Sequence, residues 1–143
     1  MTEKTTTLIP VFVYGSLRPG GNGAVSMMAD ASLAGPWEAH TTGGLYYHEC
    51  MAYPVMDVYG DNLVRGDMYL VDEESHEWAW LWEMETEAGY VPTWTDVLAK
   101  QSDGKWAETP CIVFHWPHGT NGLVPVTDGD WLRVRHAEWP MGV

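Results

Sequence analysis

Apolar and polar positions alternate in short blocks along most of this chain, and only one stretch has a helical period. Residues 8–14 form an apolar run rich in β-branched and aromatic side chains, which predicts a buried strand with Pro10 near its start. Residues 22–30 (NGAVSMMAD) predict a short helix. Residues 37–47 predict a strand kinked at Gly43-Gly44. Tyr53-Pro54 is an extended dipeptide, because proline pushes its predecessor out of the helical region. A short strand over 55–59, a turn at Gly60-Asp61-Asn62 and a strand over 63–71 follow, and Gly66 inside the last marks a close approach of backbone or ligand.

Residues 72–88 predict the one long helix, stopped by Gly89 as its C-cap. Strands over 90–100 and 106–115, joined by Ser102-Asp103-Gly104-Lys105, predict a hairpin. Residues 116–120 read as loop. Many short strands with one long helix predict an α+β domain built on a small mixed-strand β-barrel, with short flanking helices. No repeat or linker divides it, so 1–143 reads as one domain with a polar, flexible tail at 1–7.

Composition narrows the function. Seven Lys and Arg stand against twenty Asp and Glu, a formal net charge of −13. Nucleic acid and anionic membrane surfaces need clustered cations, so neither is an expected partner. With few basic side chains, a small anion would be held by backbone dipoles or a lone Arg. The start MTEKTTT lacks the apolar core of a signal peptide, and no run approaches a membrane span. Cys50 and Cys111 therefore read as reduced thiols of a cytoplasmic protein. His115 and His118 lack any accompanying CxxC or HExxH, so neither a metal nor another cofactor is expected.

Two features carry candidate chemistry. The first strand stops at Gly15, and Ser16, Leu17 and Arg18 lead to Pro19-Gly20-Gly21. A strand breaking on a glycine that tolerates positive φ can aim several N–H groups at one point, a cradle for a carboxylate or oxyanion. The second is the acidic helix. At ~100° per residue, Leu81, Trp82 and Glu85 fall within about 60° of Trp78, whereas Glu83 and Glu87 project to the other side, with Trp80 among the polar group. Glu85 is thus a carboxyl on an apolar face, and burial raises such a group toward the range useful for acid–base work. Its alternative is a half-exposed place at the helix end.

Five separated segments together resemble the gamma-glutamylcyclotransferase-like family: VFVYGSLRPGG (11–21), GGLYYHECMAYPVM (43–56), NLVRGDMYLV (62–71), LWEMETEAGY (81–90) and GDW (129–131). The resemblance implies a mixed fold around a small barrel, with a cavity lined by the YGS loop and one glutamate, matched here by Glu85. Tyr90 matches the tyrosine that follows, while Trp82 and Pro92 stand where the family pattern has Asp and Arg. It also implies a small-molecule γ-glutamyl substrate and its cyclisation to 5-oxoproline with release of an amine. Glu85 is then the general acid and base. Tyr14, Gly15, Ser16, Leu17, Arg18 and Tyr90 are the substrate-binding candidates. The other class of function is a non-catalytic module binding a small ligand or a protein on the same fold. The sequence leaves the substrate and the oligomeric state open.

Overall fold

The first strand organises the rest because it is apolar on both faces. In the computed structural model, which describes residues 7–15, 32–48 and 54–132, β1 (Leu8–Val13) lies between two partners. It pairs antiparallel with β3 (Val55–Asp72) and parallel with β5 (Trp106–His115), where Val11 meets Ile112. Val11, Phe12 and Val13 are all buried, as expected of a strand covered on both sides. Alternation sends Phe12 into one core with Met56, Val64 and Trp131. It sends Val11 and Val13 into a second core with Trp78 and Leu81 of the helix.

β2 (Ser32–Tyr47) runs antiparallel along β3, and β4 (Val91–Lys100) pairs with β5 over the whole predicted hairpin. β6 (Val124–Pro125) adds a short edge to β2. The order is β3-β1-β5-β4-β2-β6, and β3 also pairs with β2, so the path of pairings returns to the strand where it began. Among the described residues the result is a mixed sheet with one full helix, α1 (His76–Glu87). α1 is not long and apolar enough to cross a membrane. The helix expected over 22–30 lies outside the described residues.

Three sequence-based expectations are corrected. The strands expected over 55–59 and 63–71 are one strand, β3, and the intervening turn is an excursion within it. Gly43 pairs with Asn62 and Gly44 with Asp57, so four residues of β3 bulge opposite a single step of β2. A Cβ on Gly60 would lie 2.5 Å from the Gly43 carbonyl carbon, so contact between bare backbones holds the excursion in place. The second correction lengthens β2, which begins at Ser32 rather than at 37.

The third concerns the helix start. Asp72 ends β3, and its carboxylate accepts the Glu74 N–H at 2.9 Å. Ser75 is the N-cap, its Oγ accepting the Trp78 N–H at 3.1 Å. Asp72, Glu73 and Glu74 therefore precede α1. The acidic run was counted as helical because Asp and Glu suit a first turn and a turn before it almost equally.

Gly66 is the close approach its position suggested: an added Cβ would collide with the Val13 carbonyl and the Phe12 ring. Gly66→Ala should lower unfolding free energy by about 1–3 kcal/mol in urea melts, the usual cost of overpacking.

Candidate active site

The helix stops by a hydrogen-bond pattern that also builds the site. Gly89 adopts φ 105°, open to glycine and rarely to other residues. Its N–H donates to the Thr86 carbonyl at 3.1 Å, and the Tyr90 N–H donates to the Glu85 carbonyl at 3.1 Å. These two bonds make a Schellman motif, in which the chain folds back over the last turn. Tyr90 is thereby fastened to the residue whose side chain matters most here.

The following loop clamps this corner. The Trp116 ring packs 5.3 Å from Tyr90, and the His118 ring 4.6 Å from Trp116. His118 Nε2 lies 2.8 Å from the Gly89 carbonyl, so the tautomer in place carries its proton on Nε2 and donates. His115 is buried, and its Nδ1 accepts the Val58 N–H at 3.2 Å. Both histidines considered for a metal thus hold main chain in place.

A cavity of about 270 Å³ opens between this corner and the exit of β1. Tyr14, Gly15, Glu85 and Tyr90 line it together, with Phe12 and Phe114 among its apolar wall. Four of the residues singled out from the sequence therefore meet in one place, although 70 positions separate Gly15 from Glu85. Ser16, Leu17 and Arg18 lie outside the described residues. Gly15 itself has no positive φ, which corrects the reason given for it. A Cβ there would stand 2.8 Å from Pro54 Cδ and Cγ, so glycine is required by the proline packed against it.

Both tyrosine hydroxyls are anchored. Tyr14 donates to the Phe114 carbonyl at 2.7 Å, and Tyr90 donates to the Pro54 carbonyl at 2.8 Å. With those protons committed, what the two rings and an ionised Glu85 can offer a ligand is acceptor oxygen. Burial, then the nearby Tyr90 and Glu85 charges, hold the Tyr14 hydroxyl well above the usual phenol range. Tyr14 stays neutral.

Glu85 behaves differently from the other acids of α1. Glu83 and Glu87 are exposed, whereas Glu85 is partly buried and turned to the cavity. Burial pushes its carboxyl up to about 7, with no cation among the described residues opposing the shift. Near neutral pH it exists in both protonation states.

Trp82, the departure from the family pattern, lies half outside. Its ring stands 6.2 Å from Phe114 and 5.7 Å from Trp78, both edge to face, so it backs the cavity wall from behind. Pro92 pairs with Phe114 across the hairpin. Phe114 and Pro54 were not singled out as site residues. Tyr-Pro was visible as a motif, but that Pro54 supplies a carbonyl to Tyr90 emerges only from the fold.

The model of the gamma-glutamyl cyclotransferase, AIG2-like family matches residues 11–133. The chain belongs to that family. Solved structures share its fold. An uncharacterized protein from Pyrococcus horikoshii superposes with a TM-score of 0.63 at 22% identity, covering 90% of this chain and 93% of that one. An AIG2-like protein from Mus musculus gives 0.63 at 22% identity over 78% and 79% of the two chains. YkqA from Bacillus subtilis gives 0.61 at 17% identity, covering 90% of this chain and 41% of its own. No curated protein matches the sequence.

The raised Glu85 carboxyl has a consequence for stability. Its folded value near 7 exceeds the ordinary 4.5, so the folded state holds the proton more tightly than the unfolded one. Stability from this group is therefore greatest below about 4.5, declines as pH rises toward about 7, and stays reduced above it. Glu85→Gln should be more stable than wild type by about 2–3 kcal/mol in urea melts at about pH 8.5, and near parity at about pH 4.5.

Proposed function

We propose that this chain is a γ-glutamyl cyclotransferase in which Glu85 moves the protons, and that its closed circuit of strand pairings forms the small barrel expected from the sequence. The supporting observation is one ionisable carboxyl, raised to about 7 by burial, facing the exit of β1 across an otherwise apolar cavity. Membership of the family points to the same reaction.

The substrate's α-ammonium, with a pKa of about 8, is mostly protonated at neutral pH and is not yet a nucleophile. An ionised Glu85 accepts one proton from it. The freed amine attacks the γ-carbonyl carbon of the same molecule, closing a five-membered ring. The attack is intramolecular, so a large part of the entropic barrier is removed in advance. The oxyanion that forms is placed against the main-chain N–H groups of Gly15, Ser16 and Leu17. Glu85 then gives its proton to the departing nitrogen, and the carbon–nitrogen bond breaks as the carbonyl re-forms. Glu85 takes the surplus proton from the ring nitrogen. That proton leaves with the amine as an ammonium ion, which restores the carboxylate. The products are 5-oxoproline and the amine.

The acceptor character of the cavity agrees with this assignment. Tyr14, Tyr90 and Glu85 present oxygen to a ligand whose reacting group is an N–H donor. Arg18 is assigned to the substrate carboxylate, as the only basic side chain in the segment after β1 up to Gly21.

The test is release of 5-oxoproline from γ-glutamyl peptides, amino-acid conjugates and amine conjugates. At least one should turn over, and Glu85→Gln should lower kcat by about 10²–10⁴ while the protein stays folded. For wild type, kcat/KM should fall on the acid side with a midpoint near 7, where Glu85 takes up its proton. It should fall again above about 8, as the free substrate loses its own. Equal rates for wild type and Glu85→Gln on every substrate would refute the assignment. Saturable binding of a γ-glutamyl compound without turnover would give the non-catalytic module instead.

A further inference from the structure

A second cavity, of about 390 Å³, lies on the outer side of the sheet and shares no lining residue with the first. Glu38 and His40 stand two apart on β2, hence on one face. Arg65 of β3 is directly opposite His40 in the antiparallel register. Trp106 opens β5 and brings its indole to 4.8 Å from the His40 ring. Asp130 closes the remaining side. Its segment is tied down by the Arg65 N–H, which donates to the Gly129 carbonyl at 2.8 Å.

The chemistry of this lining is unlike that of the first cavity. Arg65 is the only arginine among the described residues, in a chain of net charge −13. Its guanidinium has no salt bridge among those residues, although Glu38 and Asp130 line the same cavity. Glu38 is held by Lys100 at 3.9 Å, an exposed contact of little strength that a ligand can replace. A guanidinium fork pairs with a carboxylate through two hydrogen bonds. The Glu38 carboxylate suits an ammonium. The indole and imidazole form a surface for a flat ring. Gly66 lies in the lining through its backbone. The volume is that of a small-molecule site.

We propose that this cavity binds a free aromatic α-amino acid: Arg65 holds the carboxylate, Glu38 the ammonium, and Trp106 with His40 the ring. The site goes beyond the cyclotransferase reading and does not depend on it.

Calorimetric titration of the full chain with L-phenylalanine tests this, with 3-phenylpropionate and phenethylamine as analogues lacking the ammonium or the carboxylate. L-phenylalanine should bind saturably, and each analogue at least about tenfold more weakly, the effect of one lost charge-assisted contact. Arg65→Gln and Trp106→Ala each change an exposed side chain and should weaken binding by a similar factor, with circular dichroism unchanged. Glu85→Gln should bind as wild type does. Amide shifts in an NMR titration should centre on Ala39 and Gly66. The proposal is overturned by the absence of saturable binding, by equal binding of the analogues, by unaltered affinity in Arg65→Gln, or by shifts centred on Gly15 and Glu85. The last result would place the amino acid in the first cavity.

Discussion

The pair of hydrogen bonds that ends the helix at Gly89 decides where the site is. Without the left-handed turn there, the Tyr90 N–H does not meet the Glu85 carbonyl, and β4 does not start where it does. The fold-back places Glu85, before the turn, and Tyr90, just after it, on a shared cavity wall, and the Trp116–His118 clamp braces the same corner from outside. The Tyr90 hydroxyl carries the constraint onward to the Pro54 carbonyl, and Pro54 in turn presses on Gly15. Helix end, sheet and strand exit are thus linked through a short series of contacts. Among the described residues, these contacts involve no charge.

That choice has an energetic logic. A carboxyl this close to an apolar wall is normally stabilised by a cation or by several N–H donors. Here the neighbouring hydroxyls give their protons to carbonyls, and burial is left as the dominant influence on Glu85. The group then rests near neutrality, ready to take or give a proton, and the folded state is less stable at high pH as a result. A cation beside Glu85 would recover the stability and return the carboxyl to its ordinary range, removing the property on which acid–base work depends.

What the sequence disclosed follows the range of the interactions involved. The strand at 8–14, the hairpin over 90–115 and the stop at Gly89 rest on neighbours in the chain, and all are found. The face shared by Trp78, Leu81 and Glu85 follows from helical period alone. Errors arise where local signals are ambiguous. Asp72, Glu73 and Glu74 look helical until Ser75 is seen to cap. Gly60-Asp61-Asn62 looks like a turn between strands until Gly43-Gly44 is found lying against it. Gly15 is ambiguous in the same way, because a need for bare backbone and a need for positive φ leave the same letter in a sequence, and here Pro54 packed against it sets the need. The Tyr14 and Tyr90 acceptors, Phe114 and Pro54, are distant by 100 and 36 positions, and no pattern along the chain announces them.

Gly66 connects these observations. It lies in the lining of the outer cavity, and against its other side sits the Phe12 ring, which lines the inner one. The two cavities are therefore separated by a strand without a side chain at the point of contact. Close-packed interiors transmit small displacements because few voids exist to absorb them. Gly66 lies against Phe12 and the Val13 carbonyl, one residue before Tyr14. Any substitution that fills this glycine displaces β1, so the thinness of the wall and the position of the first strand are a single structural constraint.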